Sequence, residues 1–489
     1  MNVNVLPNWL MQRAFLTPAR VAVYNENSRK TFAELHEAAV QKAGKLAHFG
    51  VRQGDIVALL MRNSVDMIEW IHALHYLGAV VLLQNVRLTV HELVWQLQDS
   101  QAKWWIVDDE WVEYQQATTV PTVPASELVK LPQDEAPLQH YYSLDDTATI
   151  MYTSGTTGKP KGVLQTYGNH WWSAVGSVLN LGLREDDCWL AAVPFFHVSG
   201  LSILMRSVIY GISVYMLNPF HAQKANEIIM KEKVTMMSVV SAMLQQMLND
   251  LGGRVYPKTF RCMLLGGGPA PKPLLEACRT QNIPVYQTYG MTETASQIVT
   301  LAPEYSLTKL GSAGKPLFPA QLRIEIDGRM ARPYEAGEIV VKGPNVTKGY
   351  LHRPEATKQA IRDGWLYTGD IGYVDEEGFL YVLDRRSDLI ISGGENIYPA
   401  EIEAALLAHE AVEEAGVTGI ADERWGQVPC AFVKVKEGYA VTEEQLLAFC
   451  KQQLATYKLP KRIYIVDQLP RTASQKLVRR ELVRLLPKI

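Results

Sequence analysis

Residues 152–162, YTSGTTGKPKG, follow directly on the apolar stretch 147–151. Glycines let backbone N–H groups approach an anion closely, and the neighbouring hydroxyls and lysines add donors and positive charge. The stretch therefore predicts a phosphate-binding loop after a strand. It is not a Walker A loop, because only two residues separate Gly155 from Gly158 and Pro160 stands where Ser or Thr would be needed for Mg2+. A flexible surface turn is the weaker interpretation, since such a density of hydroxyls, glycines and lysines is rarely without a ligand.

Length and charge narrow the classes of protein to which the chain can belong. Its 489 residues are about three times the ~150 of one domain, so we expect at least two domains. Lys and Arg number 48 and Asp and Glu number 51, which gives a formal charge of -3. This balance argues against a nucleic-acid binder, which needs a basic surface. An anionic ligand must therefore be bound by positively charged or N–H groups at its own site rather than attracted by the net charge of the protein.

The sequence favours a cytoplasmic protein without membrane insertion. Its longest apolar stretches, such as residues 76–83, fall short of the ~20 residues that span a bilayer. The first fifteen residues lack the basic and apolar segments of a signal peptide. The cysteines form no CxxC pair, and we expect reduced, mostly buried thiols at Cys188, Cys262, Cys278, Cys430 and Cys450. The Trp and Tyr content leaves homo-oligomer formation open.

The alternation of short apolar runs with helical patterns predicts a layered α/β fold. Thr31 and Glu34 form a capping-box pattern before a helix over 32–49, which Gly50 ends. We expect a strand, a glycine-containing turn and a helix at each of three places: residues 147–163, 261–277 and 285–295.

The pattern changes after residue 310. Short alternating strands predict a small β-rich subdomain over about 310–384, with strands at 322–326, 337–342 and 379–383. A charged segment at 384–388 follows, and we place a domain boundary there. Behind it we expect a separate α+β unit, with a helix that begins at Pro399, strands near 415–417 and 431–435, and a helix capped by Thr442 with Gln445.

Five further motifs follow the phosphate loop in order: PFFHVSG at 194–200, YGMTE at 289–293, YTGD at 367–370, DRRSD at 384–388, and Lys476. In this order they resemble the adenylate-forming superfamily of acyl-CoA synthetases, luciferases and peptide-synthetase adenylation domains. The chain also resembles the sequences of those members that act on o-succinylbenzoate in menaquinone biosynthesis. The similar segments include PNWLMQRA, TYGNHWWSAV, GSAGKPLFPAQ and SGGENIYPAEIE. The resemblance implies a large multi-subdomain N-terminal domain, residues 1–384, and a small mobile C-terminal domain, residues 385–489, with a hinge at about 384–388.

The resemblance also implies two half-reactions that use ATP, Mg2+ and CoA. A carboxylate attacks the α-phosphorus of ATP to give an acyl-adenylate and pyrophosphate, and the CoA thiol then displaces AMP. Two anions must meet in the first step, so cations and backbone dipoles must offset their repulsion. An aryl- or medium-chain acyl-CoA ligase is the alternative within enzymes, and a non-catalytic nucleotide-binding protein is the alternative of another class.

The resemblance implies roles in nucleotide and Mg2+ binding for residues within the motifs. Glu293 resembles the Mg2+ carboxylate, a hard oxygen ligand for a hard cation, and Thr292 would lie beside the α-phosphate. Tyr289 would stack on adenine, while Asp370 would accept from the ribose hydroxyls with Arg385 as a further donor. Together the resemblance assigns ATP or AMP binding to Thr153, Ser154, Gly155, Thr156, Thr157, Gly158, Lys159, Gly267, Gly268, Tyr289, Gly290, Asp370 and Arg385.

The C-terminal residues would serve the two steps in turn. Lys476 resembles the lysine whose ammonium bridges the attacking carboxylate and the α-phosphate, although Gln475 stands where the family usually has Gly. Ser387 occupies the hinge position, where Asp is common. After a rotation, small residues would line a pantetheine passage at Gly393 and Gly394. Trp425 would approach the adenylate in that state or, alternatively, pack in the core.

The acyl group is expected to meet His197, Arg206, Gly266 and Gly290. His197 holds the position beside the substrate carboxylate, although a histidine among apolar residues is often a core residue. Arg206 lies in the apolar run LSILMRSVIYG, where a buried guanidinium needs an anionic partner. The second carboxylate of o-succinylbenzoate could bind Arg206 in bidentate fashion, and a structural Asp or Glu partner is the alternative.

Overall fold

The structure, a computed structural model, describes residues 4–153, 160–267, 272–305, 307–309, 311–384, 389–470 and 477–487. It is a mixed α/β fold with a large N-terminal part and a small C-terminal unit, as the sequence predicts. Among the described residues, no helix is long and apolar enough to cross a membrane. The five cysteines are buried and free, in agreement with the expected reduced thiols.

The first sheet has six strands in the order β10-β9-β5-β4-β6-β7 and is parallel except at β10. The elements up to its last strand are β1 (Val5–Pro7), α1 (Trp9–Leu16), β2 (Val21–Tyr24), β3 (Arg29–Thr31), α2 (Phe32–Phe49), β4 (Ile56–Leu60), α3 (Val65–Tyr76), β5 (Val80–Leu83), α4 (Val90–Ser100), β6 (Trp104–Val107), a 3-10 helix (Asp109–Ala117), β7 (Thr122–Pro124), α5 (Ala125–Leu128), β8 (Tyr141–Ser143), β9 (Thr147–Thr153) and β10 (Lys161–Thr166).

The second sheet begins as a parallel sheet in the order β15-β14-β13-β11-β12-β2. Helices of both sheets pack into one large apolar core that also contains Trp70, Trp189 and Phe195. The elements of this part are α6 (Tyr167–Leu181), β11 (Cys188–Ala191), α7 (Val198–Tyr210), β12 (Ser213–Met216), α8 (Ala222–Lys231), β13 (Met236–Val239), α9 (Ser241–Leu251), β14 (Cys262–Leu265), α10 (Lys272–Thr280) and β15 (Val285–Met291).

The β-rich part does not form a separate sheet, because antiparallel strands extend the second sheet through β16, β17 and β23. The predicted strand at 337–342 is present with the same bounds. The elements are a 3-10 helix (Thr292–Thr294), β16 (Ser296–Leu301), a 3-10 helix (Pro303–Tyr305), β17 (Ser312–Pro316), β18 (Gln321–Ile326), β19 (Arg329–Met330), β20 (Gly337–Lys342), α11 (Pro354–Ala360), β21 (Ile361–Arg362), β22 (Trp365–Val374) and β23 (Leu380–Asp384).

The described residues after 388, which are 389–470 and 477–487, have their own five-stranded sheet and apolar core. The elements are β24 (Ile390–Ser392), β25 (Glu395–Ile397), α12 (Pro399–Leu407), β26 (Val412–Asp422), β27 (Gly426–Val435), α13 (Glu443–Gln453), a 3-10 helix (Thr456–Lys458), β28 (Ile463–Ile465) and a 3-10 helix (Arg479–Leu485). Both predicted helix starts, at Pro399 and after Thr442, are present. The domain boundary at 384–388 stays a prediction.

Two of the three predicted strand-turn-helix units are wrong. The described residues of the segment 147–163 belong mainly to two antiparallel strands, because Lys161–Thr166 pairs with Thr147–Thr153. The helix starts later, at Tyr167, where Thr166 and Asn169 form a capping box. Residues 285–295 likewise continue into an antiparallel strand after one 3-10 turn. Only the unit at 261–277 has the predicted order, with β14 and α10.

Candidate active site

The candidate site is a cleft with a volume of about 240 Å³, lined by residues of the first two sheets and of the C-terminal unit. It lies beyond the carboxyl ends of parallel strands β13 and β14, where open α/β sheets bind their ligands. Seven predicted residues of the large N-terminal part line it: Thr153, His197, Arg206, Gly266, Gly267, Gly290 and Thr292. Gly394, from the C-terminal unit, also lines the cleft.

Ten predicted site residues lie outside the described residues, and their roles stay predictions. They are Ser154, Gly155, Thr156, Thr157, Gly158, Lys159, Gly268, Arg385, Ser387 and Lys476.

The structure joins the residues expected to hold adenine and ribose. The hydroxyl of Tyr289 donates to Oδ2 of Asp370 at 2.7 Å, and both side chains are buried. Tyr289 lies on β15 and Asp370 on β22, so the bond connects two strands that are far apart in sequence. The motifs placed both residues near one nucleoside, but they gave no sign of this direct contact.

Glu293 is a buried carboxylate with one defined partner. Its Oε1 accepts from the hydroxyl of Tyr350 at 3.0 Å, and the Lys161 ammonium lies 5.1 Å from the centre of the Tyr350 ring. The neighbouring Thr292 is fixed by its carbonyl, which accepts from Gln165 Nε2 at 2.9 Å. Sequence reasoning missed Tyr350, because nothing near residue 350 resembles a motif.

Glu293 fits the expected Mg2+ site. No group of three or more His, Cys, Asp or Glu side chains suited to a metal ion occurs in the part of the chain that the structure describes. Mg2+ is commonly held by one or two carboxylates and completed by phosphate oxygens and water, so a single buried carboxylate matches its usual donor set.

His197 contacts a carboxylate that the sequence analysis did not assign. Its Nε2 lies 3.1 Å from Oε2 of Glu395, whose Oε1 accepts from Arg87 Nη1 at 2.7 Å. Burial would raise the pKa of Glu395, but His197 and Arg87 outweigh it and hold the pKa below its ordinary value. His197 is therefore not a core histidine. Glu395 stands in the phrase SGGENIYPAEIE, so its position was visible but its partner was not.

Arg206 is buried at the cleft with unpaired donors. The side chain is 1% exposed, and its Nε and Nη2 have no hydrogen-bond partner among the described residues. The guanidinium carbon lies 5.4 Å from the centre of the Trp189 ring. Burial lowers the pKa of Arg206, and the groups that act in the opposite direction are Tyr210 and Cys262 rather than a carboxylate. The structure thus offers no Asp or Glu partner within the described residues.

The expected CoA passage lies where the two parts of the chain meet. A Cβ atom on Gly394 would lie 3.1 Å from Cγ1 of Val240, and one on Gly267 would lie 3.2 Å from the same atom. A Cβ on Gly393 would lie 2.7 Å from Trp425. Trp425 is 44% exposed, so its interpretation as a core residue is wrong. A side chain at Gly393 would displace Trp425, and one at Gly394 or Gly267 would crowd Val240.

Two family models match the chain. The model for AMP-binding enzymes matches residues 10–351, and the model for their C-terminal domain matches residues 401–476. The chain belongs to the AMP-binding enzyme family. This confirms the resemblance drawn from the ordered motifs. A 2-succinylbenzoate--CoA ligase from Geobacillus sp. (strain WCH70) is 73% identical to this family member over 482 residues, 99% of this chain and 98% of that relative.

Two solved structures of one relative differ in their likeness to this AMP-binding enzyme. A double mutant of o-succinylbenzoate CoA synthetase from Bacillus subtilis, bound to the product analogue OSB-NCoA, is 52% identical, with a TM-score of 0.95 over 98% of both chains. The same relative in complex with ATP and magnesium ion is 51% identical, with a TM-score of 0.77 over 98% of this chain and 100% of that one. At nearly equal coverage and identity, the backbone of this chain is therefore more similar to the relative with the product analogue than to the relative with ATP and magnesium ion.

Proposed function

We propose that the chain is an o-succinylbenzoate-CoA ligase, an AMP-forming acid-thiol ligase of menaquinone biosynthesis that uses ATP, Mg2+ and CoA. The observation that supports o-succinylbenzoate as the substrate is the buried guanidinium of Arg206, which has two unpaired nitrogens at the cleft. o-Succinylbenzoate has one carboxylate to activate and a second one to bind. The 73% identical ligase, whose name gives the same acid, supports this assignment.

In the proposed first step, the chain binds ATP along the cleft and brings the acid to its α-phosphate. Asp370 would accept from the ribose hydroxyls, and its bond with Tyr289 joins the two side chains assigned to the nucleoside. Thr292 lies at the cleft beside Glu293, which would hold Mg2+. When bound, Mg2+ neutralises phosphate charge and so favours attack by a second anion. Lys476 would stabilise the same charge from the C-terminal domain.

In the proposed second step, CoA enters beside Gly393 and Gly394 and its thiol displaces AMP. Glu395 holds His197 by its Nε2, and Arg87 fixes Glu395 from the other side. The arrangement keeps the imidazole at one edge of the cleft while the thiol approaches the acyl carbon. Trp425 packs beside Gly393 and forms one wall of the passage.

The second carboxylate of the substrate would bind Arg206 at the inner end of the cleft. Two parallel N–H donors match the two oxygens of a carboxylate, and such bonds are strong when water is excluded. The Ser202 and Ser238 side chains line the same cleft and offer hydroxyls nearby. An acid without a second carboxylate would leave the buried guanidinium unpaired, which costs binding free energy.

The proposal includes a cytoplasmic location, in agreement with the need for ATP and CoA and with the buried free cysteines. Its partners are small-molecule substrates. Homo-oligomer formation stays a prediction from the aromatic content, and light scattering of the purified chain measures it.

The test offers o-succinylbenzoate, benzoate and octanoate in turn to the purified protein with ATP, Mg2+ and CoA. Mass spectrometry follows AMP and the acyl-CoA product. We expect the o-succinylbenzoyl thioester in large excess. A preference for benzoate or octanoate would support an aryl- or medium-chain ligase instead, and AMP formation with none of the acids would favour the nucleotide-binding protein.

A further inference from the structure

Lys458 joins the two parts of the chain at the edge of the cleft. Its ammonium donates to Oε1 of Glu92 and to Oε1 of Glu401, each at 2.7 Å. Glu92 lies on α4 in the N-terminal part, whereas Glu401 lies on α12 in the C-terminal unit with Lys458. Lys458 is 4% exposed. We propose that the Glu92–Lys458 ion pair is a positioning contact, which holds the C-terminal unit in the arrangement that forms the thioester and serves no purpose in adenylation.

The charges make this contact sensitive to the arrangement of the two parts. Lys458 and Glu401 belong to the same unit and stay together when that unit moves, but Glu92 does not move with them. A buried ion pair repays its loss of hydration only when the geometry is good. The Glu92–Lys458 pair therefore stabilises one arrangement and contributes little once the parts separate.

Glu92 is held ready for this contact by its own helix. Its Oε2 accepts from the backbone N–H and the hydroxyl of Thr89, both at 2.8 Å, which completes a capping box at the start of α4. The other oxygen is left to face Lys458. A carboxylate that is already oriented loses less conformational entropy when the partner arrives.

Two further contacts connect the N-terminal part and the C-terminal unit near this ion pair. The hydroxyl of Thr89 lies 3.3 Å from the carbonyl oxygen of Gln453, and Nδ2 of Asn85 donates to the hydroxyl of Tyr457 at 3.4 Å. These contacts are long and uncharged. The other ion pair between the two parts, Arg87 with Glu395, has a half-exposed arginine, whereas both side chains of the Glu92–Lys458 pair are largely buried. We therefore expect the loss of the Glu92–Lys458 pair to have the larger effect.

The ion pair also lies next to the groups that serve the second step. Tyr457 and Lys458 line the cleft together with Glu395 and Gly394. Fixing this part of the unit places Glu395 at His197 and Gly394 beside Val240. The inference rests on the proposed two-step ligase function, because only a second half-reaction gives this arrangement a use.

The test is Glu92→Gln, measured separately in each half-reaction. Gln keeps the capping box, which accepts Glu or Gln, and it replaces the oxygen that faces Lys458 by an uncharged amide group that cannot accept from the ammonium. Adenylate formation is followed as pyrophosphate release without CoA, and thioester formation is followed after CoA is added to the enzyme-bound adenylate. We expect thioester formation to slow by about tenfold and adenylate formation to change by less than about twofold.

The matched control is Glu413→Gln. Glu413 pairs with Lys434 at 2.7 Å, but both residues belong to the C-terminal unit. This variant should leave both half-reactions at the wild-type rates. A purely structural role of Glu92 would slow both half-reactions alike, so the ratio of the two rates separates positioning from stability.

A second variant, Lys458→Met, tests the pair from the other side. Adding Glu92→Gln to Lys458→Met should cause no further loss in thioester formation, since the contact is already absent. Equal losses in both half-reactions, an unchanged thioester rate in Glu92→Gln, or additive losses in the double variant would overturn the inference. Failure of the proposed function is distinct, because wild-type protein would then form no o-succinylbenzoyl-CoA at all.

Discussion

Arg206 shows how much one buried side chain can decide about a substrate. A guanidinium that is 1% exposed would normally have a carboxylate partner, and the described residues do not supply one. Its Nε and Nη2 are therefore the donors that an incoming anion would satisfy. The sequence indicated the charge within an apolar run, but whether a structural partner existed could be seen only in the fold.

Replacement of Arg206 by Met tests this role. Met fills a similar space without charge, so o-succinylbenzoate should lose two charge-assisted hydrogen bonds, about 3 kcal/mol or about 100-fold in kcat/KM. Benzoate, which has no second carboxylate, should lose little. Steady-state kinetics with both acids measure the ratio, and equal losses would identify Arg206 as a structural residue.

At the scale of elements, one carboxylate ties the beginnings of three neighbouring strands. Asp187 precedes β11 and accepts from Arg261, which precedes β14, at 2.8 and 2.5 Å. It also accepts from the hydroxyl of Thr235, which precedes β13, at 2.8 Å. Burial would raise the pKa of Asp187, but the bonds from Arg261, Arg184 and Thr235 outweigh it and lower the pKa. This cluster lies at the end of the strands opposite to the cleft.

Asp187→Asn should therefore destabilise the fold and leave the acid preference unchanged. Because the folded pKa is lowered, the ionised carboxylate stabilises the fold above its ordinary pKa near ~3.9, and this contribution is lost as the pH falls through the lowered value. Urea unfolding at pH 7 should show a loss of about 3 kcal/mol, which shrinks in acid. Glu26→Gln, which breaks an exposed pair with Lys224, is the control. A loss that is the same at every pH would contradict this electrostatic account.

The elements also show where sequence reasoning reaches its limit. The capping box at Thr31 and Glu34 placed α2 correctly, because cap and helix are neighbours in sequence. A helix was expected at the end of the segment 147–163, whereas Lys161–Thr166 is a strand. A strand of this kind is recognised only when the strand with which it pairs is known. The roles of Glu395 and Lys458 were missed for the same reason: their partners in the N-terminal part, His197 and Glu92, lie more than a hundred positions away.

At the scale of the whole molecule, the account requires the C-terminal domain to present different residues in each half-reaction. Lys476→Ala should abolish adenylation, because the ammonium between the attacking carboxylate and the α-phosphate is lost. Thioester formation from supplied acyl-adenylate should be largely kept. Pyrophosphate release and acyl-CoA formation measure the two steps, and intact adenylation would show that Lys476 has another role.

The profile expected for Lys476→Ala is the opposite of that for Glu92→Gln, which should slow the thioester step alone. The Glu92–Lys458 pair occurs in a structure that is more similar to the relative bound to a product analogue than to the relative bound to ATP and magnesium ion. Two variants with opposite effects would show that one chain alternates between two arrangements.

The most direct test of the central claim is a competition between two acids in one mixture. Equal concentrations of o-succinylbenzoate and benzoate are given to the wild-type protein with ATP, Mg2+ and limiting CoA, and mass spectrometry measures the ratio of the two acyl-CoA products. Early in the reaction this ratio equals the ratio of the two kcat/KM values. The account predicts an excess of o-succinylbenzoyl-CoA of at least about 100-fold. A ratio near one, or an excess of benzoyl-CoA, would contradict it.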